Sequence, residues 1–86
     1  MYDEILYLEA TGNYVTFVLT GKKVLARSTV AEAIHWLPQM KFVRVHRSYM
    51  VAVNKLDKVE RHQLTIGTHK IPVSEAYQQQ LQMMLR

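Results

Sequence analysis

Residues 42–54 read FVRVHRSYMVAVN, and this stretch decides the fold. It holds two apolar runs, Phe42-Val43 with Val45, and Tyr49-Met50-Val51-Ala52-Val53. β-Branched and aromatic residues dominate both, so each reads as a strand on a half-buried sheet. Between them lies a polar knot, His46-Arg47-Ser48. All three side chains form hydrogen bonds, and the arginine is always charged. A pair of strands is a rigid mount, and a polar turn is what such a mount can present.

The sequence on either side reads as support for that turn. Ile5 to Ala10 is a strand, Thr11-Gly12-Asn13 a turn, and Tyr14 to Leu19 the next strand. Thr20-Gly21-Lys22-Lys23 reads as a hairpin connection into Val24-Leu25-Ala26, a strand ending at Arg27. Thr29 and Glu32 have capping-box spacing. Val30, Ala33, Ile34 and Leu37 then share one helical face, with Trp36 off the stripe, and Pro38 stops the helix. At about two turns it is too short to stand alone and must pack on the sheet. Beyond Asn54-Lys55-Leu56, a turn, come a weak strand at Asp57 to Glu60 and a polar turn at Arg61-His62-Gln63. Leu64-Thr65-Ile66 and Lys70-Ile71 form a hairpin around Gly67-Thr68, and Pro72 marks a strand end or an edge. Ser74 is the expected N-cap of a last helix, with Glu75 placed well against its dipole. Tyr77, Leu81, Met84 and Leu85 line its apolar face, and Gln78, Gln79, Gln80 and Gln82 the polar one. The expected class is mainly β with two short helices.

Eighty-six residues argue for one domain around one small core, and a 49% hydrophobic fraction is too high for disorder. With no cysteine there is neither a disulfide framework nor a thiolate metal site, which fits a cytoplasmic location. No apolar run reaches membrane-spanning length, and no signal-peptide order is present, so no membrane contact is expected. The net charge of +4 and a pI near 9.6 favour a polyanionic partner, nucleic acid ahead of an acidic membrane surface. The abrupt start, with a strand at Ile5, suggests a piece of a longer protein.

His35, His46, His62 and His69 lack the helical i, i+4 pairing with an acid that marks a metal site, so no metal or cofactor is expected. His46 and Ser48 could meet as base and nucleophile, but no acid follows to orient the imidazole and no glycine-rich oxyanion loop exists. No catalytic residue is expected, and an enzyme is the weakest reading. The bland alternative is a His46 bonded to nearby backbone and a solvated Arg47. Against it stand Arg27, Arg44, Arg47, Arg61 and several lysines on the connections and strand ends. Such groups can grip phosphates, which set affinity, while a few forked heads reach base edges and set sequence choice. Arginine suits guanine and asparagine suits adenine, and Arg47 and Asn13 are the turn residues with those heads.

The combined pattern resembles the LytTR-type DNA-binding domain, the output domain of bacterial LytR/AlgR-type response regulators. The residues that carry it are Asp3-Glu4-Ile5-Leu6-Tyr7-Leu8-Glu9-Ala10 with Gly12-Asn13-Tyr14-Val15, and Leu25-Ala26-Arg27-Ser28-Thr29. The helix ending in Leu37-Pro38, the run Phe42 to Tyr49, Ile71-Pro72-Val73-Ser74 and Tyr77 complete it. The most specific part is F-x-R-V-H-R-S-Y. The resemblance spans Asp3 to about Leu81. It implies an elongated stack of small antiparallel sheets with two short helices. It also implies double-stranded DNA bound by loops in successive major grooves, often bent, on paired direct repeats occupied by dimers. On this reading residues 1–86 are a single domain, the C-terminal fragment of a two-component response regulator. That fragment lacks the first strand or strands, and a receiver or sensor domain stands N-terminal to it.

The resemblance also assigns roles. Asn13 and Tyr14 occupy the first base-contact position and Arg47 the second. His46 and Ser48 flank Arg47 as phosphate-contact candidates. The third position falls at Glu75, where relatives are often basic. Glu75 either reads a different base or turns away to cap the helix, and the cap is the favoured reading. Arg27, Ser28 and Arg61 match regions that touch the DNA backbone in relatives. Two more departures stand out. Ala52 replaces a frequent asparagine, and relatives usually carry one or two strands before Ile5, whose absence would open a sheet edge. The alternative function is a protein-interaction or dimerisation module that has lost specific DNA binding. Salt-dependent binding to duplex DNA separates the two.

Overall fold

The computed structural model describes residues 4–37 and 41–85. Five strands, β1 (Ile5–Thr11), β2 (Tyr14–Leu19), β3 (Lys22–Arg27), β4 (Phe42–His46) and β5 (Tyr49–Ala52), form one antiparallel sheet in the order β3-β2-β1-β5-β4. A second antiparallel sheet holds β6 (Lys58–Val59), β7 (Gln63–Ile66) and β8 (His69–Pro72) in sequence order. Helix α1 (Val30–Ile34) joins β3 to β4, and α2 (Gln78–Met84) follows a 3₁₀ turn at Glu75–Tyr77. Mainly β with two short helices is the class the strand spacing predicts, and antiparallel sheets are what the family resemblance implies. The described residues extend 30 × 25 × 21 Å, and none of their helices is long and apolar enough to cross a membrane.

Alternation along the strands builds a core on each face of the larger sheet. Tyr7, Val18, Val43, Val45 and Val51 meet Leu64, Ile66, Ile71 and Val73 of the smaller sheet and Leu81 of α2. On the opposite face Ile5, Leu8, Val15, Phe42, Met50 and Ala52 pack with Ala33 and Leu37 of the α1 region. Two register shifts serve this arrangement. One, between Ile5 and Tyr7, lets Leu6 and Tyr7 both pack toward the smaller sheet. The other makes Val45 the extra residue between Arg44, opposite Met50, and His46, opposite Tyr49. A bulge there bends β4 next to its turn.

The α1 N-terminus carries the full capping box. The Thr29 hydroxyl oxygen accepts from the Glu32 amide at 3.1 Å, and the Glu32 carboxylate accepts from the Thr29 amide at 3.3 Å. Regular helix ends at Ile34 and turns continue to Leu37; Pro38, the expected stop, lies outside the described residues, as does Asp3.

Several local expectations are corrected. β3 begins at Lys22, so the β2–β3 connection is only Thr20-Gly21, with Leu19 paired to Lys22. Ser74 holds the N-cap position, but its side chain makes no capping bond. Its amide donates to the Val45 carbonyl at 2.8 Å, and its carbonyl accepts from the Tyr77 amide at 3.0 Å. Leu85 is exposed, so Leu81 and Met84 carry the apolar contacts of α2. His69 of β8 contacts Tyr7 of the larger sheet. Its Nδ1 lies 3.3 Å from the Tyr7 hydroxyl, and the two rings meet edge to face.

Candidate nucleic-acid interface

Strand direction gathers the sequence-selected residues at one end of the molecule. β1 ends and β2 begins at Gly12-Asn13, with Thr11 paired to Tyr14. β3 ends at the same level, because Tyr14 pairs with Arg27. β5 begins there too, since Glu9 pairs with Tyr49 and the Ala10 amide donates to the Ser48 carbonyl at 2.8 Å. β4 therefore ends beside them at His46. The sheet edge reads, in spatial order, Arg27, Asn13-Tyr14, Ser48 and His46-Arg47. Adjacent strands lie about 4.8 Å apart, so five strands span roughly 19 Å. The centres of the two turns stand two spacings apart, about 10 Å.

The edge continues past β4. Ser74 is bonded to Val45, which sets Glu75 beside the end of that strand. The Val73 amide donates to the His62 carbonyl at 2.8 Å, and the Gln78 side-chain amide donates to the Arg61 carbonyl. The Arg61-His62 turn thus lies at the neighbouring end of the smaller sheet. The Thr20-Gly21 and Gly67-Thr68 turns cap the opposite strand ends.

Asn13, Tyr14, Arg27, Arg47, Arg61 and Glu75 are all exposed. Gly12 has φ +61° and Asn13 a negative φ, the pattern of a type II′ hairpin turn, in which glycine at the first central position lets the loop stay at two residues. His46 and Ser48 are half-buried, and the His46 Nδ1 accepts from the Ser48 amide at 3.1 Å. In the neutral ring Nε2 is then the donor nitrogen, free for an outside acceptor. The Tyr49 ring meets the His46 ring edge to face at 5.6 Å, and its hydroxyl donates to the Glu9 carboxylate at 3.1 Å. Burial first, and then the Glu9 charge, raise the ionisation of Tyr49 above its usual 10.0.

Ser28 is placed differently from the rest. It is buried, at 6% exposure, and its hydroxyl donates to the Thr29 carbonyl. Its amide donates to the Asn13 carbonyl at 3.1 Å. In this geometry Ser28 holds the Asn13 turn against the end of β3. Asn13, Arg27, Ser28, Thr29 and Glu32 together line a shallow polar depression.

One contributor is missed by sequence reasoning. Arg44 reads as one more basic residue on a strand, yet its Nη2 donates to the Arg47 carbonyl at 2.7 Å and its Nε to the His46 carbonyl at 3.3 Å. Alternation gives a hint, since Arg44 sits between the buried Val43 and Val45 and must face away from them. Nothing in the spacing says that it folds back onto its own turn.

Known proteins share this frame. The LytTr DNA-binding domain family matches residues 1–86. An uncharacterized response regulatory protein of Vibrio cholerae is 33% identical over 85 residues, covering 88% of this chain and 33% of that protein. The sensory transduction protein LytT of Bacillus cereus is 27% identical over 90 residues, covering 98% of this chain and 37% of that protein. The chain therefore spans about a third of the length of the curated relatives it matches. A solved LytTr DNA-binding domain from Bacillus cereus superposes with a TM-score of 0.86 over 98% of this chain and 83% of that one. At 24% identity, the likeness is one of fold.

Proposed function

Because the chain belongs to the LytTr DNA-binding domain family, we propose that it binds double-stranded DNA in a sequence-specific way, as the output domain of a response regulator, through one end of its five-stranded sheet. The observation that carries this reading is the row of exposed Arg27, Asn13, Tyr14 and Arg47 along that end, with His46 and Ser48 among them. Arg47 reads guanine with its fork, and Asn13 reads adenine. Tyr14 adds apolar contact. Arg27, Arg61 and His46 Nε2 bind phosphate oxygens and fix the register.

The centres of the two reading turns stand about 10 Å apart by strand spacing, well within the roughly 34–36 Å of one helical turn of duplex. They act as a pair on one stretch of duplex. A neighbouring groove is left to the Arg61 and Glu75 side. Glu75, exposed in the first turn after Ser74, repels phosphate, so on that side it keeps clear of the backbone or accepts from a cytosine amino group. A receiver domain N-terminal to this chain, a cytoplasmic setting and paired copies on direct repeats complete the proposal. Selection of bound duplexes from a random library, followed by titration over a salt series, tests it. Enriched sequences with a steep salt dependence are expected.

A second reading, a protein-interaction module, has one observation in its favour. β3 is an edge strand with Val24 at 46% and Leu25 at 64% exposure. An open apolar edge invites pairing with another chain. No salt-dependent DNA binding would favour this alternative.

A further inference from the structure

Arg44 aims its guanidinium at the two carbonyls that flank Arg47. The His46 carbonyl belongs to the peptide plane before Arg47, and the Arg47 carbonyl to the plane after it. Nε holds the first at 3.3 Å and Nη2 the second at 2.7 Å. A peptide is planar, so fixing both planes fixes the two soft dihedrals of Arg47 and with them the direction in which its side chain leaves the turn. The guanidinium carbon also stands 5.5 Å from the centre of the Tyr77 ring. Tyr77 is half-buried, and its amide donates to the Ser74 carbonyl at 3.0 Å, while Ser74 is tied to Val45 on the bulge. The bracing side chain is therefore itself held from below by an aromatic platform on the last helical segment.

Arginine suits this arrangement where lysine does not. Its donors sit in a rigid planar fork that can serve two acceptors, and its flat face stacks on a ring. A lysine would keep the charge and lose the fork.

From this geometry we propose that Arg44 is a positioning residue for sequence recognition. It aims Arg47 at its base through the His46 and Arg47 carbonyls, with Tyr77 as its support. The proposal rests on the DNA-reading role assigned to Arg47 above. It gives Arg44 and Tyr77 an effect on sequence discrimination that neither would have as a phosphate contact, since phosphate contacts carry no sequence information.

The test uses the wild-type domain with its Arg44→Lys, Arg44→Met and Tyr77→Leu variants. Each is titrated with a duplex selected by the wild type and with a random duplex, over a salt series. The amide NMR spectrum of each free variant reports the turn without DNA. Expected are a loss of about tenfold on the selected duplex, about 1.4 kcal/mol, and a change within about twofold on the random one. Arg44→Lys fails to rescue, the salt slope is unaltered, and the Arg47 and Ser48 amide resonances move in all three variants. Equal losses on both duplexes, a full rescue by lysine, or a slope reduced by about 0.9 in Arg44→Met would make Arg44 a phosphate contact and overturn the proposal. If Arg47→Ala lowers discrimination while the folded Arg44 and Tyr77 variants keep it, the positioning role falls and the DNA-reading role stands. If Arg47→Ala changes nothing, the reading role falls and the positioning role goes with it.

Discussion

The amide of Ala10 donates to the carbonyl of Ser48 at 2.8 Å, one step beyond the last β1–β5 register pair, Glu9 with Tyr49. This bond ties the strand that ends in the Asn13 turn to the turn that carries Arg47. Below it, Tyr49 is bonded to Glu9 and packs its ring on His46. Two loops far apart in sequence thus stand on one stiff frame. On the proposed reading, the backbone of the two turns needs little ordering on binding, which would remove part of the entropic opposition to association.

Arg47→Ala should weaken binding to a selected duplex by about 1–3 kcal/mol and relax one base position. Arg47 is exposed, so the fold should be untouched. Titration against the selected duplex and its single-base variants checks this; unchanged affinity and preference would remove Arg47 from the reading set.

Arg61→Ala should behave otherwise. As a phosphate contact it should weaken all duplexes alike and lower the slope of log K against log salt by about 0.9. The Arg61 carbonyl, which accepts from Gln78, survives the substitution. A salt series on selected and random duplexes reads both effects.

Thr29→Ala removes the α1 capping bond to the Glu32 amide. A loss of about 1 kcal/mol in urea unfolding is expected. Leu64→Ala, at a position with 0% exposure between the two sheets, should remove about 2–5 kcal/mol. Equal effects of the two would mean that the inter-sheet core is looser than its burial implies.

The alkaline limit of stability has a structural source. Burial first, and then the Glu9 charge, raise the ionisation of both Tyr7 and Tyr49 above 10.0. Both hydroxyls hold their protons more tightly folded than unfolded. Their contribution is complete below pH 10 and is lost as pH rises through 10 toward the raised folded values. Thermal melts should therefore fall above pH 10, and Tyr49→Phe should reduce that fall.

Most strands were legible because β-branched residues cluster between turn residues, and Gly12, Gly21 and Gly67 each mark a reversal with positive φ. The Thr29–Glu32 cap was legible because spacing alone specifies it. What composition could not show is where connections tighten. Lys22 and Lys23 look like turn residues but pair as the start of β3, because an edge strand tolerates exposed lysine. Ser74 looks like a side-chain cap, but the segment opens as a 3₁₀ turn in which the Tyr77 amide donates to the Ser74 carbonyl and not to its hydroxyl. In the candidate site, the exposed forked residues were visible from their type and position in turns. The burial of Ser28 and the folding back of Arg44 depend on contacts across strands and on Tyr77, which local sequence does not encode.

The most direct measurement is amide chemical-shift mapping of the domain during titration with a duplex selected from a random library. Perturbations should gather at residues 12–14, 27 and 46–48 and extend toward 61 and 75, while residues 20–23 and 67–68 at the opposite strand ends stay still. Perturbations confined to those opposite ends, or to the open β3 edge, would contradict the claim that one end of the five-stranded sheet meets DNA.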